Sequence, residues 1–267
     1  MSGIAIITGA SSGIGKSFVS ELCKRDYVFD NEKLDEVWIL ARREETLVKI
    51  KESLGEKGNK IRVVKCDLIN EDEVSRIGDL IEAENKKVKL LVNCAGMGKR
   101  GDLLEKDFKA VADTIDLNCK SLSLMTRVVA PFMETSKDQR PSRVINIASS
   151  AAFLPQVGFA VYAASKAYVV SFGRAMDYEL KGKGIRTLTV APGPVNTEFQ
   201  IHATDGAEAG FTGFRKFVVA DPDKLASKSL KCSEKGRNML VYGFSQKLLH
   251  VAGKLVPHGV VLWFERH

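Results

Sequence analysis

A phenol and an ammonium four residues apart are the first chemistry this chain offers. Tyr162 and Lys166 stand in the run VYAASKAYVV, residues 161–170. Positions i and i+4 share one face of a helix, so the two side chains would be neighbours. An ammonium beside a phenol favours the phenolate, and a phenol so tuned exchanges a proton with an alcohol oxygen near neutral pH. Tyr168, two residues beyond Lys166, points elsewhere and is assigned to packing. Upstream, NIASSAA carries Ser149 and Ser150 at the end of an apolar run. A hydroxyl there can hold the same oxygen, and these residue types together suit carbonyl–alcohol interconversion by hydride transfer.

Hydride transfer needs a carrier, and the N-terminal region holds a candidate site for one. TGASSGIG places Gly9, Gly13 and Gly15 between an apolar run and a helical stretch. Glycines there let the backbone turn tightly and approach a ligand, while the next helix offers free N–H groups to a phosphate. A plain structural turn is the competing reading, and the position in the first βαβ unit weighs against it. At the end of the second apolar run stands LARRE, with Arg42 and Arg43 and no carboxylate before Glu44. A carboxylate at that point would bind the ribose 2′-hydroxyl of NAD, whereas a guanidinium suits a 2′-phosphate. The expected cofactor is therefore NADP(H). CDL puts Asp67 and Leu68 after the third run, where an adenine ring can be met, and NCAG (93–96) follows the fourth with small residues.

The elements that must position these groups alternate. Apolar runs at 4–8, 37–40, 61–65, 89–93, 143–148 and 186–191, with a weaker one at 238–242, read as strands buried on both faces. Helical patterns lie between them at 14–25, 71–85, 103–134 and 162–182. That order implies an α/β fold, one domain over 1–267 with a doubly wound parallel seven-stranded sheet of the Rossmann type. Two stretches interrupt it: 25–36, and 194–220, which is rich in Gly, Ala and Phe and reads as a substrate lid.

Composition excludes several other classes. The chain has 267 residues, 45% hydrophobic and 27% charged, with a formal net charge of +7. No dense Lys/Arg block points to nucleic acid. Cys23, Cys66, Cys94, Cys119 and Cys232 are odd in number and widely spaced, which suits free thiols in a reducing compartment and not a disulfide framework or zinc site. The four histidines form no metal-ligand pair. With no signal peptide read at the start, a cytoplasmic location is expected.

Over nearly its whole length the chain resembles the short-chain dehydrogenase/reductase family. TGASSGIG, CDL, NCAG, Asn118 in LNCKS, Ser149, YAASK and PGPVNT carry the resemblance. The serine-to-tyrosine gap of 13 (162 − 149) is the family's usual one and selects Ser149 over Ser150. The resemblance implies that Tyr162 is the general acid/base and that Lys166 lowers its pKa and binds the nicotinamide ribose. Ser149 would position the substrate oxygen, and Asn118 would hold a water that relays protons. It further implies that Gly9, Ser11, Ser12, Ile14 and Arg42 line the adenosine diphosphate half. Asn93, Ala95 and Gly96 would flank the cofactor, with Pro192, Gly193, Val195 and Thr197 near the carboxamide. A homodimer or homotetramer is implied on the same ground. Two features depart from the pattern: Cys94 replaces a frequent asparagine, and Arg42 lies 27 residues beyond Gly15 (42 − 15), so its alignment rests on strand order.

Substrate contacts are expected from Met97, Ser150, Phe153, Leu154, Phe159, Pro194, Phe199, His202, Phe211 and Phe214. Ligand pockets are mostly apolar with few polar anchors, so these residues suit a bulky lipophilic ketone or alcohol, such as a hydroxysteroid or a 3-oxoacyl compound. In the C-terminal extension, 244–267, Phe244, Leu248, Val251 and Leu255 fall on one helical stripe that Pro257 ends. Such a tail can close the pocket, join a subunit interface or touch a membrane surface, and the first two are favoured. The contrasting class is a catalytically silent NADP(H)-binding sensor or scaffold. It would have no need of Ser149, Tyr162 and Lys166 together.

Overall fold

The computed structural model describes residues 3–25, 29, 33–136, 139–199 and 219–266. Seven parallel strands form one sheet: β1 (Gly3–Thr8), β2 (Leu34–Ala41), β3 (Ile61–Lys65), β4 (Val88–Asn93), β5 (Ser142–Ile147), β6 (Ile185–Pro192) and β7 (Met239–Tyr242). Their order is β3-β2-β1-β4-β5-β6-β7. Ile6 of β1 pairs with Trp38 of β2 on one side and Leu91 of β4 on the other. The direction of winding therefore reverses between β1 and β4. In an open α/β sheet that reversal leaves a crevice at the carboxyl ends of the strands.

Alternation along the strands divides the core into two layers. In β1, Ala5 and Ile7 face one side and Ile4 and Ile6 the other; in β2, Val37 and Ile39 oppose Trp38 and Leu40. The first layer is covered by α1 (Gly13–Cys23), α2 (Glu44–Ser53) and α7 (Pro222–Glu234) through Phe18, Leu22, Leu47, Ile50, Leu225 and Leu230. The second is covered by α3 (Glu71–Ala83) and α5 (Ser121–Val129) through Val74, Ile77, Ile81, Met125 and Val129. With helices on both faces, β1 and β4 are buried along their full length. This is why they read as continuous apolar runs.

The expected helix over 103–134 is broken into pieces. The side chain of Asp107 caps α4 (Phe108–Ile115) by accepting from Ala110 N. A π turn follows over Asp116–Lys120 and then α5; Pro131 sits in the 3₁₀ turn Ala130–Met133 that ends the segment. Helices α2 and α7 are additional to the expected set, and Asp221 followed by Pro222 caps α7. At the C-terminus, α8 (Phe244–Leu255) and α9 (His258–Arg266) flank Pro257. Most of the expected lid, 200–218, lies outside the described residues, and so do His202, Phe211 and Phe214.

Helix α6 (Ala160–Glu179) carries the Tyr162–Lys166 pair and is anchored to β6 by one buried carboxylate. Asp177 accepts from Arg186 Nε at 2.9 Å and Nη2 at 3.0 Å, and from Thr187 N at 2.8 Å. Burial alone would raise its pKa. The Arg186 and Thr187 hydrogen bonds, with the charges of Arg186 and Arg143, outweigh burial and hold the carboxyl below its ordinary value. Breaking this clamp with Asp177→Ala should cost about 2–3 kcal/mol in urea unfolding, because Arg186 loses its partner. A depressed carboxylate stabilises the fold above its unfolded pKa, near 4, and the contribution is lost as pH falls through the folded value. Asp177→Asn should therefore show a flatter loss of stability below pH ~4 than the wild type.

Candidate active site

Strand ends β1–β6 surround a cleft of about 660 Å³. Its floor is the glycine loop. Gly9 has φ +64°, and a Cβ there would stand 2.7 Å from Ala95 Cα, so only glycine lets the β1 and β4 loops meet. Gly13, Gly15, Ser11, Ser12 and Ile14 line the same end. Ser12 is the N-cap of α1 but makes no side-chain cap bond, and the first turn has no acidic residue. The helix N-terminus therefore keeps its donors for an anion. Thr197 closes over this loop, with a Cβ on Gly13 falling 3.0 Å from the Thr197 side chain.

Arg42 and Arg43 are exposed at the cleft edge, and Arg43 Nη2 donates to Ser11 Oγ at 3.4 Å. Asp67 and Leu68 line the same end; the Asp67 carboxylate accepts from Ile69 N at 3.2 Å. A glycine cradle, uncapped helix donors and two guanidiniums fit a nicotinamide dinucleotide carrying a 2′-phosphate.

Across the cleft, Ala95, Gly96, Pro192, Gly193, Val195 and Thr197 line the middle, and Ser149, Tyr162 and Lys166 line the far end with Met97, Phe159 and Phe199. Tyr162 is 8% exposed, stacked on Phe159 with ring centroids 4.4 Å apart and tilted against Phe199 at 5.4 Å. Burial pushes its phenol up to about 12, against which a hydrogen bond with Ser149 acts. Ser149 also caps the turn Ser150–Phe153 by accepting from Ala151 N at 3.2 Å.

Lys166 departs from expectation. Its Nζ donates to Ile147 O at 2.9 Å and lies 5.8 Å from the Tyr162 ring centroid. The shared helix face brings the pair together, but the ammonium is spent on the end of β5, and burial sets the phenol's shift. Burial also drops Lys166 to about 8, with Cys94 and Cys119 opposing.

Three further residues lie off the cleft wall. Asn93 is buried behind it, donating to Thr126 Oγ1 at 3.0 Å and Asn146 Oδ1 at 2.9 Å, so it joins β4 to β5 and α5. Asn118 sits in the π turn; its Oδ1 accepts from Met97 N, and its Nδ2 donates to Met97 O, both at 2.8 Å, and to Ser165 Oγ at 2.9 Å. Its side chain thus pins the Met97 loop. Phe153 is turned to His250 of α8, with ring centroids 4.3 Å apart. Of the remaining substrate candidates, Ser150 and Pro194 line the cleft. Tyr168 is half-exposed, bonded to Ser123 and stacked on Phe172.

Thr8 was not among the expected site residues. Its Oγ1 accepts from Cys94 N at 3.0 Å and Ala95 N at 3.2 Å, holding the two loops together. Nor was Arg100, which lines the cleft and stands 5.1 Å over the Phe159 ring. The signal available was, for Thr8, its place as the first residue of TGASSGIG and, for Arg100, its nearness to NCAG.

A family model described as short chain dehydrogenase matches residues 3–208. The chain belongs to the short-chain dehydrogenase family, whose members are NAD(P)-dependent oxidoreductases of alcohols and ketones. Sulfoacetaldehyde reductase 2 of Chromohalobacter salexigens is 32% identical over 214 residues, covering 78% of this chain and 79% of that protein. The 17-beta-hydroxysteroid dehydrogenase type 3 of Danio rerio is 30% identical over 74% of this chain, which spans only 62% of that protein. Among solved structures, the closed form of serine dehydrogenase complexed with NADP⁺ superposes with a TM-score of 0.76 at 26% identity, covering 89% of this chain and 93% of that one.

The low pKa of Lys166 has a consequence for stability. Between pH ~8 and ~10 the unfolded chain holds a proton on this lysine that the folded chain has lost. Its contribution to the unfolding free energy therefore rises with pH across that window. Lys166→Met removes it. The wild type should gain about 1–2 kcal/mol more than the variant between about pH 7.5 and about pH 9.5 in urea unfolding.

Proposed function

We propose that the protein reduces a ketone, or oxidises a secondary alcohol, with NADP(H), and that its substrate is bulky and lipophilic, such as a hydroxysteroid or a 3-oxoacyl compound. The observation that carries this reading is the placement of Ser149, Tyr162 and Lys166 together at the end of the same cleft as the glycine cradle. Two hydroxyls aimed together can grip one substrate oxygen, and Met97, Phe159 and Phe199 beside them offer it an apolar wall.

The residues assign themselves by position. Gly9, Ser11, Ser12, Gly13, Ile14 and Gly15 would hold the diphosphate, Arg42 and Arg43 the 2′-phosphate, and Asp67 and Leu68 the adenine. Ala95, Gly96 and Lys166 would take the nicotinamide ribose, and Pro192, Gly193, Val195 and Thr197 the carboxamide. NADPH, when bound, supplies the hydride that goes to the carbonyl carbon. Tyr162 then gives its phenolic proton to the carbonyl oxygen while Ser149 donates a hydrogen bond to that oxygen. The reverse reaction returns the proton to Tyr162. A phenol held near 12 is protonated at neutral pH, which suits the donor role of reduction; a Lys166 charge released from Ile147 O would favour the phenolate needed for oxidation. The NADP⁺ held by the 26%-identical serine dehydrogenase supports the cofactor assignment, and the steroid dehydrogenase among the relatives supports a large ring substrate. Five free thiols fit a cytoplasmic enzyme.

Turnover of NADPH across steroid, acyl and small ketones tests the reading. Tyr162→Phe should lower kcat by roughly a hundred- to ten-thousand-fold while NADPH binding is kept. Retained turnover would sink the mechanism, and NADPH binding with no turnover on any ketone would favour a sensor. Arg42→Ser combined with Arg43→Ser should raise the KM for NADPH about tenfold or more and leave that for NADH nearly unchanged. A wild type that prefers NADH would refute the role given to the arginines.

A further inference from the structure

Helix α8 is amphipathic in the opposite sense to α1, α3 and α7, which bury their apolar stripes. Phe244, Leu248, Val251 and Leu255 have the spacing of a core-facing stripe. All four are exposed, Phe244 at 78% and Leu255 at 77%. The face laid on the protein is mixed, with half-buried Leu249 among polar and small residues. Gln246 is buried against Gly193, His250 meets Phe153, and Gly253 lies where a Cβ would stand 2.5 Å from Phe153 O. Past Pro257, α9 adds exposed Val260, Leu262 and Trp263. The stripe therefore does not close the cleft; its other face borders the cleft at Gly193. Isolated surface apolar residues need no explanation, but a continuous helical stripe of them marks an interaction surface.

Charge selects the occupant. From Phe244 to Arg266 the chain carries Lys247, Lys254 and Arg266 against Glu265 alone, and the whole chain is +7. A second copy would bring like charges together. An anionic lipid surface would complement them, and an apolar stripe with flanking lysines and a tryptophan is the composition of a helix lying in a membrane interface. No helix among the described residues is long and apolar enough to cross a membrane. We propose that α8 and α9 dock the protein in-plane on an anionic lipid bilayer, with Phe244, Leu248, Val251 and Leu255 entering the boundary between headgroups and acyl chains. Because the inner face of α8 touches Gly193 in the middle of the cleft, docking sets that side of the cleft beside the lipid. The docking itself does not depend on the proposed reaction, and its test reads binding without turnover.

Full-length protein is sedimented with vesicles of phosphatidylcholine alone and with vesicles containing about one third phosphatidylserine. The pelleted fraction should be about fivefold or more higher on the phosphatidylserine vesicles and should fall as salt is raised. Leu248→Glu combined with Leu255→Glu should abolish the pelleting and leave the circular dichroism spectrum and Tm unchanged, since both side chains are exposed. Equal pelleting on the two vesicle types, none on either, or full pelleting of the double variant overturns the proposal. A dimer seen by light scattering without lipid, and lost in the double variant, would assign the stripe to a second copy and overturn it as well.

Discussion

A lysine ammonium buried to 5% exposure is the constraint around which the catalytic end is built. Taking an ammonium out of water is costly unless a partner accepts its hydrogen bonds. Ile147 O supplies that partner at the carboxyl end of β5. Room for the group comes from Gly96, where a Cβ would stand 3.1 Å from both Lys166 Nζ and Asn118 Oδ1. Asn118 in turn holds the Met97 backbone through both its N–H and its C=O, and Ser165, one residue before Lys166, receives the remaining Asn118 donor. The β4 loop, the π turn and α6 are thus tied to one another around a single cation. The π turn is explained by the same demand: it places Asn118 at the junction without ending the α4–α5 segment.

That junction needs strands held in register beneath it. Asn93, Asn146 and Thr189 are paired across β4, β5 and β6, and all three are buried. Asn93 links its neighbour strand and Thr126 of α5 with one amide group. On the β1 side, Thr8 takes the N–H groups of Cys94 and Ala95. The crevice at the β1–β4 reversal is therefore fixed from both sides by polar side chains in a core that is otherwise apolar. Asn93 Nδ2 and Thr8 Oγ1 make these ties, while Asn93 Oδ1, Asn146 Nδ2 and Thr189 Oγ1 are buried without a hydrogen-bond partner among the described residues.

What could be read from the sequence follows the same division. The seven strands were legible because a sheet covered on both faces needs continuous apolar runs, as in IAII of β1 and LLV of β4. The glycine loop was legible because backbone approach at Gly9 and Gly15 leaves no room for a side chain. Helix α2 escaped notice because only Leu47 and Ile50 are buried along ten residues, too few for a clear period. Asn93 could be assigned to a motif, but not to a direction: a strand residue's facing depends on where the strand ends, and Asn93 is its last member. Lys166 shows the limit of an i, i+4 argument. Spacing fixes the helix face and leaves the end of a long side chain to whichever acceptor is nearest. The stripe on α8 shows the same limit at larger scale, since periodicity gives an apolar face without saying what it meets.

The two ends of the cleft differ in how they are made, and this governs how far sequence reasoning can go. The end beneath the glycine loop is built from main-chain N–H groups and missing side chains, at positions that follow directly from β1, α1 and the β4 loop. Few residue types are tolerated there, so short motifs carry the information. The other end is built from side chains of separate segments: Met97 after β4, Phe159 before α6 and Phe199 beyond β6. None of these is constrained by backbone geometry, and each can change size without disturbing the sheet. Arg100 over Phe159, and Phe159 on Tyr162, form a stack of 5.1 and 4.4 Å steps leading from the cleft edge to the phenol. Under the proposed reaction, substrate choice would be set by side-chain volume and charge beside Tyr162, on a frame that carries Ser149, Tyr162, Lys166 and the loop that faces them.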